Sequence, residues 1–409
     1  MESSDPAGAL DLLLSTRGQE LLGELELEAA GALDAAAELA LAAKLRARYP
    51  VALVVVAVGL HALRLRAREK FSRAACMWFT REGLEQASGE LLARHRATRY
   101  AAAGCERIID LCTGIGGDLT QLAPGRVAVA TDLDPVHLRM AVLNARAYGA
   151  TELHAVRADV RTLRLERAGH AAAFADPARR SAGRRLAAGV SQPPLAWCLA
   201  LADRVPSGAV GIKAAPGLPL DLLPSGWEVE LVAVGRELRE AVLWSPALAT
   251  ATRRATVLPA GHTLAAPLGQ AAPSTGAGAS QPVPCAPPGA WLLDPNPAVT
   301  RAGLVEDLAR QVGGWKLDPL IAFLSADTPL TTPFGRLLAI DATMPWNLKR
   351  LRAALRVRRI GTVDIRKRGS AVDVDDLRRR LDLHGDSHAV VVLTRVANRP
   401  WALICHDPR

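Results

Sequence analysis

The chain has 409 residues, 50% of them hydrophobic and 22% charged, and a net charge of +9 at neutral pH. This is ordinary globular content, long enough for about two to four domains, and it excludes a disordered or fibrous chain. The longest apolar run, Val51 to Leu60, is about half of what a bilayer core requires, and Arg64, Arg66 and Arg68 follow it, so no membrane span is expected. Met1-Glu-Ser-Ser-Asp5 is acidic, unlike the basic start of a cleavable signal. The six cysteines stand singly, without a C-x-x-C pair, which is the usage of a reduced, cytoplasmic protein and offers no metal site. A basic balance carried mostly by arginine suits a polyanionic partner, although a coding bias toward arginine would give the same count.

Residues 1–98 read as a helical region. Leu33–Arg48 is rich in alanine and leucine, Pro50 interrupts it, and Val51–Phe71 resumes. Thr80 is placed to cap a further helix with Gly83 in its first turn. Lys70-Phe71 and Met77-Trp78-Phe79-Thr80 concentrate aromatics in a chain that has only 4% of them. That cluster either packs the helices onto the next domain or leans over its ligand pocket.

From 99 to 263 strands alternate with helices: Ile108–Leu111, Val127–Thr131, Glu152–Val156, Ala171–Ala175 and Ala209–Lys213, then Glu228–Val234 and Arg239–Trp244 around a turn at Gly235. The alternation predicts an α/β domain with a parallel sheet finished by a hairpin. Arg107-Ile-Ile-Asp-Leu-Cys-Thr-Gly-Ile-Gly-Gly-Asp118 reads as a buried strand ending in an acid, a glycine turn and a helix start. A doubly wound sheet builds a nucleotide-type pocket in this way, at the carboxyl end of its first strand. Gly114, Gly116 and Gly117 let the backbone turn tightly and approach a ligand. The second strand ends at Asp132, close to the roughly 20-residue separation that sets a ribose-binding carboxylate beside the turn. The third glycine of a dinucleotide fingerprint would fall on Leu119, which disfavours an NAD-dependent enzyme. Asp110 and Asp118 would also repel a pyrophosphate where backbone N–H groups should hold it. A ligand with a cationic centre and an amino-acid tail fits better.

The loop resembles motif I of the class I S-adenosylmethionine (SAM) methyltransferases, and three further motifs follow in order. Thr131-Asp-Leu-Asp-Pro-Val-His-Leu-Arg-Met-Ala-Val-Leu-Asn144 is similar to the second motif, which implies that Asp132 meets the ribose hydroxyls and Leu133 the adenine face. Arg157-Ala-Asp159-Val160 is similar to the third, whose acid reads the adenine amino group. The implied cofactor set is Asp110, Thr113, Gly114, Gly116, Gly117, Asp118, Asp132, Leu133, Asp159 and Val160. Any of these acids could instead be a helix cap or turn residue, Asp134 more readily than the others.

Phe174-Ala-Asp176-Pro177-Ala178-Arg179 sits where the fourth motif faces the substrate. Methyl transfer from a sulfonium is an in-line displacement, so catalysis rests on alignment of nucleophile, methyl and sulfur. The resemblance makes Asp176 the acceptor-positioning group, accepting a hydrogen bond from an amino or imino nitrogen, with Pro177 and Arg179 beside it as catalytic candidates. Family members that methylate exocyclic amino groups often have D/N-P-P followed by an aromatic. This chain lacks the aromatic, and Arg179 would have to stack through its guanidinium plane. Arg180, Arg184 and Arg185 follow and either grip phosphates or form a solvated helix start. Lys213 and Glu240, at the ends of later strands, either face the substrate cleft or, more readily, are structural.

Residues 264–290 are rich in Pro, Ala, Gly and Ser and read as a flexible loop. An α+β connecting region spans 291–345. From 346 to 409 the order is helix Trp346–Arg356, strand Ile360–Arg366, helix Val374–Leu383, strand Ala389–Val396 and strand Trp401–Cys405. Thr332-Pro-Phe-Gly335, Met344-Pro-Trp346, Ile365-Arg-Lys-Arg-Gly369 and Ala389-Val-Val-Val-Leu-Thr-Arg-Val396 resemble the THUMP-like domain that accompanies certain bacterial SAM methyltransferases. THUMP domains are associated with RNA, so the resemblance implies RNA contacts at Arg352, Arg356, Arg359, Arg366, Lys367 and Arg368. Arg352, Arg356 and Arg359 share one face if the helix extends that far. Asp364, Asp373, Asp375 and Asp376 could neutralise part of this charge by ordinary ion pairing.

The expected protein is a cytoplasmic methyltransferase with SAM as cofactor and RNA as acceptor. Its Rossmann-like seven-stranded domain would follow an N-terminal helical region and precede a C-terminal α+β THUMP-like module. Two alternatives stay open: a SAM-binding module that interacts with RNA or protein without transferring methyl groups, and a methyltransferase acting on protein or a small molecule.

Overall fold

The computed structural model describes residues 5–28, 35–178, 180–181, 184–185, 191–269 and 283–408. The chain divides into two compact units, Met1–Trp227 with Val242–Ala249, and Glu228–Ala241 with Thr250–Arg409. Among the described residues no helix is long and apolar enough to cross a membrane.

The first unit opens with helices α1 (Pro6–Leu14), α2 (Thr16–Glu28), α3 (Ala35–Arg46), α4 (Val51–Ala67), α5 (Arg81–Gln86) and α6 (Glu90–Ala102). Asp5 caps α1 by accepting from Gly8 N, and Pro50 sits at the start of α4, where its fixed φ suits a helix N-terminus. Leu53, Val54, Ala57 and Leu60 fall on one face of α4 and are buried against leucines of α1 and α2. Phe71, Met77, Trp78 and Phe79 belong to this same core, together with Ile115 and Met140 from beyond the helical region. The aromatic cluster is therefore packing, not pocket wall. Burial of whole aromatic rings such as Phe79 is the scale of contact whose truncation costs about 3–5 kcal/mol.

The α/β part follows: β1 (Arg107–Leu111), α7 (Leu119–Leu122), β2 (Val127–Asp132), α8 (Pro135–Ala147), β3 (Leu153–Arg157) and β4 (Ala172–Ala175). Two short antiparallel strands, β5 (Arg180–Ser181) and β6 (Arg184–Arg185), precede α9 (Leu195–Leu199), α10 (Leu201–Arg204) and β7 (Val210–Ala214). Parallel pairings run β7–β4–β1–β2–β3, with Ile109 opposite both Val129 and Ala173. Ile108 to Leu111 is buried throughout, as expected for a central strand covered on both faces. β1 feeds β2 on one side while β4 lies on the other, which makes the carboxyl end of β1 a topological switch point.

In the second unit β8 (Glu228–Val234) is followed by β9 (Glu237–Trp244), whose last residues belong to the first unit. All seven expected strands are present within two residues of their predicted bounds. Two were not expected: β10 (Arg253–Leu258) pairs parallel with β8, and β11 (His262–Ala266) pairs antiparallel with β10. Of the stretch read as a loop, 264–266 thus lie in a strand, Val283 is buried, Cys285 bridges Lys316, and 270–282 lie outside the described residues.

The remaining elements are β12 (Trp291–Pro295), α11 (Pro297–Ala302), α12 (Val305–Val312), β13 (Trp315–Lys316), β14 (Leu324–Ala326), β15 (Gly335–Pro345), α13 (Leu348–Val357), β16 (Ile360–Lys367), α14 (Val374–Leu381), β17 (Ser387–Val396) and β18 (Arg399–His406). They form a seven-stranded sheet in the order β13-β14-β12-β15-β18-β17-β16, antiparallel except for β16–β17. Side chains of β17 alternate strictly. Val390 and Val392 face a core with Leu292 and Phe323, while Val391 and Leu393 face Leu351, Leu355, Leu377 and Leu381 of α13 and α14.

Candidate functional site

The carboxyl ends of β1, β2, β4 and β7 open on one cavity of about 630 Å³ within the first unit. Thr113, Gly114, Gly117 and Asp118 from the glycine turn, Asp132 and Leu133 after β2, Asp159 and Val160 after β3, and Asp176 and Pro177 after β4 all line it. Asp110, near the end of β1, and Gly116, in the turn, do not line the cavity. Gly116 has φ +82°, and a Cβ there would come within 2.8 Å of Ala141 Cα on α8, so only glycine fits. Gly114, at φ +56°, has open space where a Cβ would be, and Cys112 takes φ +60° although it is not glycine.

Carboxylates set the character of the cavity, and most already have partners. Gly114 N donates to Asp132 Oδ2 at 2.7 Å and Asp134 N to Asp132 Oδ1 at 2.9 Å, so the turn and the second strand are tied to each other. Asp134 caps α8, accepting from Val136 N at 2.8 Å and His137 N at 3.1 Å. Arg161 grips Asp159 through its guanidinium and its backbone N–H, which holds that carboxyl down to about 2. Asp118 forms a buried ion pair with Arg96, whose Nε lies 2.7 Å from Oδ1 and whose guanidinium covers the Phe174 ring. Lys213, only 6% exposed, donates to Asp176 Oδ2 at 2.6 Å and to Ser88 Oγ at 2.8 Å. Asp176 Oδ1 carries no hydrogen bond among the described residues.

Asp110 is the exception. It is 1% exposed, and neither carboxylate oxygen has a hydrogen-bond partner among the described residues, the Thr113 hydroxyl donating to the backbone O instead. Burial pushes its carboxyl well above the usual carboxylate range, and the charges of Asp118 and Asp176 push it further.

Three contributors to this site were not read from the sequence. Glu82, Gly83 and Glu85 to Ser88, from α5 and the turn after it, line the cavity, while the aromatics that drew attention nearby lie in the core. Thr80 does cap α5, accepting from Gly83 N at 2.9 Å, and its hydroxyl also meets His137 Nε2 at 3.0 Å. Asn144 on α8 is the link: it accepts from Trp78 N at 2.7 Å and donates to Trp78 O at 3.0 Å and Ile115 O at 2.8 Å. Arg96 had a legible signal, since it shares the buried face of α6 with Ala93, Ala97 and Tyr100, and a charge there needs a buried counterion. Lys213, read from the sequence as structural or facing the cleft, lines the cavity from the apolar strand Val210-Gly-Ile-Lys-Ala214. Arg179 lies outside the described residues.

The basic residues of the C-terminal sequence prove largely engaged. Arg352 pairs with Asp382 at 2.7 Å, Arg359 with Asp386 at 3.2 Å, and Lys367 donates to Val372 O at 3.1 Å. Arg366 and Arg368 both pair with Asp294, at 3.1 and 3.0 Å. α13 ends at Val357, so Arg359, at φ +57°, does not continue the face of Arg352 and Arg356.

A parallel sheet with a glycine turn after β1 and acids at the ends of β1 and β2 is the architecture of a class I methyltransferase. Residues 105–179 match the family model for RNA cap guanine-N2 methyltransferase, and residues 335–407 match the THUMP domain-like model. The uncharacterized S-adenosylmethionine-dependent methyltransferases MT3122 and Rv3037c of Mycobacterium tuberculosis, from strains CDC 1551 / Oshkosh and ATCC 25618 / H37Rv, are each 38% identical over 352 residues, covering 81% of this chain and 89% of theirs. A crystal structure of a Porphyromonas gingivalis W83 protein named as a methyltransferase shares the fold, with a TM-score of 0.72 over 88% of this chain and 92% of that one at 17% identity. The chain belongs to the family of S-adenosylmethionine-dependent methyltransferases and carries a C-terminal THUMP-like domain.

Proposed function

We propose that the protein methylates RNA on an amino nitrogen, with Asp176 positioning the acceptor. The observation that carries this reading is the asymmetry of the Asp176 carboxylate at the cavity wall: Oδ2 is held by Lys213, and Oδ1 has no hydrogen-bond partner among the described residues. The RNA cap guanine-N2 methyltransferase model, whose match runs through Asp176 and Pro177, and the THUMP domain-like match both favour RNA as the acceptor class.

The residues present fit SAM. An unpartnered buried acid, Asp110, and a cavity wall with seven carboxylates (Glu82, Glu85, Asp118, Asp132, Asp134, Asp159, Asp176) against the cations Arg161 and Lys213 suit a cationic ligand and disfavour a polyphosphate. When bound, SAM supplies an electrophilic methyl group on a sulfonium. Asp132, with each oxygen anchored by one backbone N–H, keeps lone pairs for the ribose hydroxyls. Leu133, 62% exposed, offers an apolar surface to the adenine, and Asp159 lines the same cavity. Thr113, Gly114, Gly117 and Val160 shape the wall around the ligand.

Asp176 accepts the acceptor's N–H and so turns the nitrogen lone pair toward the methyl group. An ion pair at one oxygen fixes the plane of the carboxylate, which reduces the alignment entropy lost on binding. Formation of the nitrogen–methyl bond would break the methyl–sulfur bond, with the neutral thioether as leaving group, and the nitrogen proton would pass to Asp176 or to water. The THUMP-like domain recruits the RNA, and the setting is the cytoplasm, where six free thiols stay reduced. Asp176→Asn should bind SAM with wild-type affinity by calorimetry and lose at least about tenfold in single-turnover transfer, the scale of a lost hydrogen bond to a charged group. An unchanged rate would remove Asp176 from the acceptor site.

A further inference from the structure

The second unit gathers three arginines on one buried carboxylate. Asp294, near the end of β12, has a side chain only 5% exposed. Arg236 donates to its Oδ2 at 2.7 Å, Arg366 to the same oxygen at 3.1 Å, and Arg368 to Oδ1 at 3.0 Å. One negative charge against three positive ones leaves two in surplus. Burial holds the Arg236 guanidinium below its usual range despite Asp294, and repulsion from Arg366, Arg336 and Arg368 adds to the effect. Arg336 is itself matched, its Nε lying 2.8 Å from Asp407 Oδ1, and Asp364 lies 3.8 Å from His388.

The three arginines are not equivalent. Arg368 is fastened on several sides, over the Phe323 ring at 5.3 Å and against Pro295 O at 3.3 Å. For Arg236 and Arg366, Asp294 is the sole hydrogen-bond partner among the described residues, and Arg366 Nε is buried with none. Their side chains remain 38% and 31% exposed. A guanidinium has five N–H donors, so each keeps most of its fork available for an oxyanion. Asp294 lies too deep to meet a ligand, but it holds the two forks at a common point, so little side-chain freedom is left to lose on binding.

We propose that Arg236 and Arg366, seated on Asp294, form a phosphate-binding site that takes a backbone phosphodiester of the RNA substrate. The inference rests on the RNA reading above. The cavity of the first unit is acidic, so attraction for a polyanion has to come from elsewhere on the chain.

The test is the Arg236→Gln/Arg366→Gln double variant, which leaves Arg368 to neutralise Asp294 one to one. Arg366→Gln alone is the second variant should the double one fail to fold, and far-ultraviolet circular dichroism with SAM calorimetry verifies both units. For an RNA that the wild type methylates, the double variant should bind about tenfold more weakly at physiological salt, and its log K against log salt slope should flatten by about one. Unchanged affinity and slope, with the wild type labelling RNA, would overturn the site and leave the RNA reading intact. Should the wild type label no RNA, the RNA reading fails first, and inorganic phosphate becomes the probe. Thermal stabilisation of the wild type but not the variant would support an anion site, and equal response of both would overturn it.

Discussion

Asp110 is the residue on which stability and ligand binding conflict. Its carboxyl is fully buried, has no hydrogen-bond partner among the described residues, and titrates above the usual carboxylate range. The folded chain therefore holds this proton where the unfolded chain, with an aspartate pKa of about 3.9, has released it. The folded state binds more protons, so Asp110's contribution is present at low pH and is lost as pH rises from about 4 through the raised folded value. Ligand-free Asp110→Asn should accordingly be more stable than the wild type at pH 8 in urea unfolding, with the gap closing toward pH 4. Its SAM affinity should fall, because the asparagine, unlike the acid, cannot give up a proton when a cationic ligand binds above it. A pH-independent gap would show that the carboxyl does not titrate as described. At the other end of the turn, Asp132→Ala should weaken SAM binding by about 1–3 kcal/mol, the cost of unmatched hydrogen-bonding groups. Wild-type affinity by calorimetry would place Asp132 outside the ligand contacts.

At the scale of elements, the helical region and the sheet meet through Asn144, which ties the Trp78 backbone to the glycine turn by three hydrogen bonds. Asn144→Ala strands buried backbone groups and should destabilise the chain by about 2–3 kcal/mol, with weakened SAM binding as the turn loses its support. Loss of stability alone, with intact affinity, would mean that the tie serves folding only. Between β4 and β7, Lys213→Met should leave SAM affinity near wild type while lowering kcat, because Asp176 loses its anchor. A matching fall in SAM affinity would make Lys213 a binding residue instead. The strands and the glycine turn were legible because apolar runs ending in Asp110, Asp132 and Asp176 follow the local rules of parallel sheets. The partnerships were not. Arg96 with Asp118, Lys213 with Ser88 and Asp176, and Asn144 with Trp78 join residues far apart in sequence, which local patterns do not encode. The expected face of Arg352, Arg356 and Arg359 failed for a local reason, since the helix stops at Val357.

Over the whole molecule, charge is segregated by role. Acids line the cavity, where a cationic ligand belongs, and an arginine surplus sits on Asp294 in the second unit. A net charge of +9 therefore says little about the pocket itself. Transfer of a methyl group from SAM to RNA is tested by incubating the protein with methyl-labelled SAM and fractionated total RNA and protein from a strain lacking this gene. Label in an RNA fraction, lost with Asp176→Asn, is the predicted result. Label confined to protein or small molecules would contradict the RNA assignment, and label that persists in Asp176→Asn would contradict the acceptor site.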